Sequence, residues 1–186
     1  YMSEGDVHFW GKQDGRDAYD VVEWVARQPW CNGKVAFAGN SWLAVSQWFA
    51  AAEQPPHLAA IAPWEGHTDL LGDDMCRGGI PNPAFNSLVV TQTPGRGFIE
   101  DAPAMVLKYP YRNPFWQDKC PDFSKITVPA YIVAGYNSPV HTRGSFEGFR
   151  KIASEHKWLR IHNTGEWPDF YAHQEDLKKF FDCFLK

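Results

Sequence analysis

The stretch Lys34-Val-Ala-Phe-Ala-Gly-Asn-Ser-Trp-Leu-Ala44 limits what this chain can fold into more than any other. The apolar run Val35 to Ala38 reads as a buried parallel strand, since a strand covered on both faces needs no polar alternation. The run stops at Gly39-Asn40-Ser41, and a helical pattern starts at once, from Trp42 to Ala52. A serine on so sharp a strand-to-helix turn has the form of a nucleophile elbow. Gly39 gives the tight turn a small residue two positions before the serine, and Ala44 is small where the usual glycine is absent. Such a turn lifts the Ser41 oxygen clear of the sheet and aims the Trp42 N–H at the place where an oxyanion would form. Ser41 is the candidate nucleophile and Trp42 the candidate oxyanion donor. The competing explanation is a Gly-Asn turn with an N-capping serine.

The rest of the chain alternates strands and helices. Ala18, Val21, Val22 and Val25 fall at helical spacing within 16–27, with Asp17, Asp20 and Glu23 toward the positive end. Residues 1–15 read as Gly-rich and irregular. Leu58 to Ala62 is a second strand closed by Pro63, Ala130 to Ala134 a third, and Trp158 to Ile161 a fourth. Helices are expected over 144–155 and 174–186. Between residues 64 and 125 Gly, Pro and Asn recur and strand-like runs are few, which suggests an inserted cap. The expected class is α/β, a mostly parallel sheet flanked by helices. Its core is assigned to 1–63 and 126–186, with the cap at 64–125.

Composition excludes several functions. The formal charge is −4 with no basic block, which argues against nucleic acid as a partner. No run approaches the ~20 apolar residues of a membrane span, and the start Tyr1-Met-Ser-Glu-Gly-Asp is not a signal peptide. Cys31, Cys76, Cys120 and Cys183 are scattered without a Cys-x-x-Cys pair; this points to a reduced, cytoplasmic setting, although a Cys76–Cys120 pairing stays open. Asp73-Asp74 lacks partners at ligand spacing, so no metal and no cofactor is expected. Arg77-Gly-Gly-Ile and Pro94-Gly-Arg-Gly do not link a strand to a helix, which rules out phosphate cradles.

Ligands of open parallel sheets bind at the carboxyl ends of the strands. That rule selects the loops at Gly39-Asn40-Ser41, Pro63-Trp64-Glu65, Gly135-Tyr136-Asn137-Ser138 and His162-Asn163-Thr164-Gly165-Glu166. Trp42, Trp64, Trp116, Trp167 and Tyr136 suit either a bulky apolar substrate or packing under the cap. Trp64, Glu65, Tyr136, Ser138, His141 and Trp167 are the candidate substrate-binding residues.

With these loops placed, the chain resembles the X-Pro dipeptidyl-peptidase and cocaine esterase family of α/β-hydrolases. The resemblance rests on Asp17-Ala-Tyr-Asp-Val-Val-Glu-Trp, Gln28-Pro-Trp-Cys-Asn-Gly-Lys-Val, Gly39-Asn-Ser-Trp-Leu-Ala, Gln47-Trp-Phe-Ala-Ala-Ala, Pro55-Pro-His-Leu-Ala-Ala-Ile-Ala-Pro and Val128-Pro-Ala-Tyr-Ile-Val-Ala. It implies an α/β-hydrolase fold and hydrolysis of a small ester or amide through an acyl-enzyme on Ser41. It also implies that Glu65 or Asp69 could hold a substrate ammonium, against a solvated acidic loop as the plain alternative. Strands that family members place before the first helix have no counterpart here. The chain therefore reads as part of a longer polypeptide, its sheet completed by another segment or another chain.

The resemblance departs where the triad should close. The family's acid falls at about Asn137 or Ser138, and its histidine at about Gly165 or Glu166. His162, His141 and His173 are the substitutes for the missing base, each also readable as a surface or packing histidine. Glu166, beside Trp167, has three open roles: a base with raised pKa, a holder of a substrate amine, or an ion-pair member. The catalytic set is Ser41, Trp42, Glu166 and His162. The rival expectation is a degenerate hydrolase fold that binds a small molecule or promotes a non-hydrolytic step such as cyclisation.

Overall fold

A computed structural model describes residues 5–92 and 97–186. Tyr1-Met2 and the Pro94-Gly95-Arg96 part of the second Gly-rich segment lie outside them. The core is a parallel sheet of β1 (Val35–Asn40), β2 (Leu58–Trp64), β3 (Ala130–Gly135) and β4 (Lys157–His162), in the order β1-β2-β3-β4. Helix α1 (Lys12–Ala26) packs on α2 (Trp42–Ala52), which lies against β1 and β2. Between β2 and β3 come only short pieces. They are a π-helical turn (Leu70–Met75), α3 (Ala84–Gln92), α4 (Ala102–Lys108), α5 (Pro114–Asp118) and two 3₁₀ turns. After β3 follow α6 (Thr142–Lys151), then β4, α7 (Glu166–Ala172) and α8 (Gln174–Leu185).

β2 and β3 are buried strands that pack on both faces. The run Val35 to Ala38 is covered less than expected: Val35, Ala36 and Phe37 are half-buried and Ala38 is exposed, because β1 is an outer strand of the described sheet. Ile132 joins Val22, Trp48, Ala51, Ile61 and Ile152 in one core cluster, whereas its neighbour Val133 joins Ala62, Trp64 and Leu177 in another. Alternate residues of one strand thus feed opposite clusters, the period-2 geometry of a strand. A third cluster gathers Phe9, Trp10, Leu70, Met75, Val106 and Trp116 around Val45 and Phe49 of α2. It seats the segment between β2 and β3 on the helix that follows the serine.

Several boundaries differ from the sequence expectation. α1 begins at Lys12, inside the stretch expected to be irregular. α6 stops at Lys151 because Ile152 turns to extended backbone (ψ 142°). α7 was not expected at all. Cys76 and Cys120 do not pair, and all four cysteines are free thiols. Among the described residues no helix is long and apolar enough to cross a membrane.

Candidate active site

Ser41 sits at φ 59° and ψ −119°, between the end of β1 and the start of α2. Few non-glycine residues adopt such a backbone, and it persists only where the surroundings impose it. Here they do. The Ser41 N–H donates to the Trp64 carbonyl at 3.2 Å, while the Ser41 carbonyl accepts from Ala44 and Val45. A Cβ on Gly39 would lie 2.4 Å from Leu43 Cβ, so the turn admits only glycine there. Ala44 is fully buried, and Gly66 closes against it, since a Cβ at 66 would stand 3.0 Å from Ala44 Cβ. The Trp42 N–H is the first of α2 and has no partner within the helix.

The serine hydroxyl meets His141 Nε2 at 3.0 Å. His141 comes from the loop after β3, the one where the family resemblance placed an acid. The loop is tightly tied: the His141 N–H donates to Ser138 Oγ at 3.1 Å, and Thr142 Oγ1 donates to the Gly135 and Ser138 carbonyls. Arg77 donates to the Pro139 carbonyl, and Arg143 pairs with buried Asp73, so the segment after β2 is fastened once to this loop and once to the start of α6. Burial pushes the His141 imidazole down to about 3, and His67 alongside lowers it further, with Asp73 opposing. Its ring stacks on His67 at 6.2 Å. Its Nδ1 is buried without a partner. A neutral imidazole so placed can accept the serine proton's hydrogen bond, but a cation formed there has no carboxylate on the far nitrogen.

Glu166 approaches from the other side, as the first residue of α7. Its Oε2 is 3.8 Å from His141 Nε2, and the Asn40 side chain donates to its backbone carbonyl at 3.4 Å. Burial and then the charge of Glu65 raise its pKa to about 7, with the Ser41 hydroxyl opposing, and its Oε1 is buried without a hydrogen-bond partner. At neutral pH this carboxyl is poised between its two forms, the condition for a general base. Ser41, His141 and Glu166 share a cavity of about 370 Å³ with Phe85, Asn137, Ser138, Pro139, Val140, Gly165 and Trp167. Of these, Phe85 alone comes from the segment between β2 and β3.

The other sequence candidates fall elsewhere. Trp64 is 1% exposed; it packs on Tyr131 and Phe170 with the Arg160 guanidinium over its ring, so it is core and not a cavity wall. Trp116 is likewise fully buried, its Nε1 donating to the Tyr109 carbonyl at 2.7 Å. The Trp42 ring turns into the third cluster against Trp10, at 4.2 Å; only its backbone faces the serine. Glu65 is 1% exposed, which removes it from contact with a substrate amine and also from any solvated loop. His162 turns to Glu65 (2.6 Å) and Thr164 (3.1 Å), so both its ring nitrogens are engaged away from the serine. Asp69 pairs with Arg112. Tyr136 is exposed, its ring against Phe146. His173 binds Asp169 and its backbone carbonyl. Sequence reasoning passed over Asn40 and His67, the first because it was read only as a turn residue. Among the described residues no group of three or more His, Cys, Asp or Glu stands close enough to hold a metal.

A parallel sheet with flanking helices and a strained serine at a strand-to-helix corner defines an α/β-hydrolase core. The chain belongs to the X-Pro dipeptidyl-peptidase (S15) family, whose model matches residues 1–97. A CocE/NonD family hydrolase from Staphylococcus aureus superposes with a TM-score of 0.92 at 38% identity, over 100% of this chain and 34% of that one. Cocaine esterase from Rhodococcus is 44% identical over 57 residues, 31% of this chain and 10% of its own length. A putative serine esterase from Mycobacterium bovis is 39% identical over 71 residues, 38% of this chain and 11% of its length. The chain thus spans about a third of the S. aureus hydrolase. A Pyrococcus furiosus esterase, 14% identical with a TM-score of 0.60, shares the fold.

Proposed function

We propose that this protein is a serine hydrolase that cleaves an ester or amide through an acyl-enzyme on Ser41. The reading rests on one observation: the Ser41 hydroxyl, at a strained corner, meets His141 Nε2 at 3.0 Å in a cavity that the Glu166 side chain also lines. In the tautomer with its proton on Nε2, neutral His141 donates to Ser41 Oγ and holds it in line, and Glu166 takes the hydroxyl proton as Oγ bonds to the carbonyl carbon. The carbonyl π electrons move onto oxygen, which the Trp42 N–H helps to hold. Collapse of the intermediate breaks the bond to the alcohol or amine, which leaves with the proton from Glu166. Water then repeats the sequence on the acyl-enzyme, and Ser41 recovers its proton. Phe85, Pro139, Val140 and Trp167 give the cavity apolar walls, which favours an apolar acyl or leaving group. The names of the relatives, cocaine esterase and serine esterase, support an ester as the scissile bond.

One observation favours the rival reading, a binding protein that has lost hydrolysis: His141 Nδ1 has no carboxylate partner. A fluorophosphonate probe separates the two. The hydrolase reading expects an adduct on Ser41 that disappears in Ser41→Ala. No adduct between mildly acidic and alkaline pH would reject it in favour of binding.

A further inference from the structure

Trp10 takes no part in the chemistry above, yet its backbone is strained. It sits at φ 50°, a region that bulky residues adopt only where their surroundings hold them. A buried ion pair from the segment between β2 and β3 does the holding. Lys119, 3% exposed, donates through Nζ to the Trp10 carbonyl at 2.8 Å and to Glu100 Oε2 at 2.8 Å. The same Glu100 oxygen accepts the Phe9 N–H at 2.8 Å. Gly11 then lets α1 begin, since a Cβ there would lie 2.6 Å from Asp118 Oδ2.

The indole so held grips the first residue of α2. Its ring lies 4.2 Å from the Trp42 ring, and Phe9 meets the same ring at 5.1 Å. Its Nε1 donates to the Trp42 carbonyl at 3.2 Å, which also accepts the Ser46 hydroxyl at 3.1 Å. Trp10 and Phe9 are both buried, so these contacts form away from solvent. With its ring and its carbonyl both fixed, Trp42 cannot turn about its N–Cα bond, and its N–H keeps one direction. Trp10 also meets His67 edge to face at 4.5 Å, and His67 stacks on His141.

We propose that Trp10 is a positioning residue: its ring and indole N–H fix the direction of the Trp42 N–H toward the oxyanion of the tetrahedral intermediate. The inference rests on the reading of Ser41 and Trp42 above. An oxyanion donor is effective only if it already points at the oxygen when charge develops there. The ground-state carbonyl needs that donor far less. Losing the grip therefore slows acylation and leaves substrate binding as it is. Lys119 and Glu100 belong to the segment between β2 and β3, so that segment reaches the oxyanion corner through one side chain.

The test reads the Trp42 amide directly by NMR. Ser41-Trp42 is the chain's single Ser-Trp pair, so ¹³C-carbonyl serine combined with ¹⁵N-tryptophan singles out its N–H. A fluorophosphonate adduct on Ser41 places a phosphoryl oxygen where the oxyanion forms, and in the wild type the Trp42 amide should shift downfield as the adduct forms. Trp10→Phe keeps a ring and loses the donor; it should show a smaller shift and label about tenfold more slowly. Trp10→Ala should lose most of the shift and label about a hundredfold more slowly. With an aryl ester, kcat should fall in both variants while KM stays. A Trp42 amide that shifts as far in Trp10→Ala as in the wild type would overturn the proposal, however slowly that variant labels, since a merely structural role gives that result. A raised KM with kcat unchanged would also overturn it. If neither variant folds, hydrogen exchange in the wild type decides: a Trp10 indole proton protected as long as the amides of α2 supports the grip, and one that exchanges freely refutes it. A Trp42 amide that stays in place in the phosphonylated wild type would overturn the oxyanion reading and this inference with it. Absence of any adduct in the wild type would overturn the serine reading, and the inference falls with that as well.

Discussion

Replacing Gly39 by alanine tests the corner that carries the serine. The new methyl carbon would lie 2.4 Å from Leu43 Cβ, whereas carbon atoms pack at about 3.5–4.0 Å. One of the two backbones must therefore give way by about 1 Å or more. Leu43 Cβ is fixed to the first turn of α2, so no side-chain rotation relieves the clash; the helix start moves, and the Trp42 N–H and Ser41 hydroxyl move with it. Overpacking of this kind costs about 1–3 kcal/mol of stability. A misplacement of about 1 Å at a reacting group costs about a hundredfold in rate. The assay pairs urea unfolding with the rate of fluorophosphonate labelling. Two second-site variants sharpen it. Leu43→Ala keeps the offending Cβ and should restore nothing. Leu43→Gly removes it and should restore labelling, at about 1 kcal/mol of helix stability. Leu43 is 58% exposed, so neither truncation opens a core cavity. Gly39→Ala labelling as fast as wild type would refute the reasoning, and so would equal rescue by both second-site changes.

Three further outcomes follow from the same structure. Glu166→Gln should slow Ser41 labelling by about 10²–10⁴-fold, the usual worth of a general base, and should abolish the rise in rate centred near pH 7; a profile unchanged in shape would point to another base. Trp116→Ala should cost about 3–5 kcal/mol in urea unfolding, since the ring is fully buried; a loss under about 1 kcal/mol would contradict that packing. Stability should rise gently as pH falls from about 6 to about 4.5, because three carboxyls gain protons in the folded state against two imidazoles in the unfolded one, and should fall below about 4.5. His67 and His141, both held down to about 3, take up protons only on unfolding, so their stability contribution is full above 6.5 and is lost toward 3. Glu65 and Glu166, raised to about 7, and Asp74, raised to about 6, hold protons only when folded and oppose that loss until the unfolded carboxyls protonate. Below about 3.8 two imidazole protons remain unopposed, on the order of 2–3 kcal/mol per pH unit. His67→Phe should remove one of them, which unfolding by urea at pH 3.5 and 6.5 would reveal.

Local signals carried the elbow and missed the charges behind it. The run Val35 to Ala38, the glycine at 39 and the apolar helix from Trp42 lie within one short stretch, so their geometry is written in neighbouring residues. Helix α7 is short, and its signals, Glu166 and Asp169 in the first turn with Pro168 among them, read equally well as a loop. Trp64 and Trp116 could not be placed because an aromatic ring suits a core and a pocket on the same grounds of apolar area. The Glu65–His162 pair joins residues 97 positions apart; only the packing of three parallel strands brings them together. The Ser41–His141 contact spans 100 positions, and the loop that brings His141 was expected to bring an acid. The sequence offered three histidines and put His162 in the catalytic set; the fold instead leaves His141 beside the hydroxyl.

Trapping the acyl-enzyme tests the central claim most directly. An activated aryl ester is mixed with the protein and quenched in acid within the first turnover, and the digested peptides are weighed. The account predicts the acyl mass on the peptide that contains Ser41, absent from Ser41→Ala and slower to appear in Glu166→Gln. Ester turnover with that peptide unmodified, or with the acyl group on another residue, would contradict it.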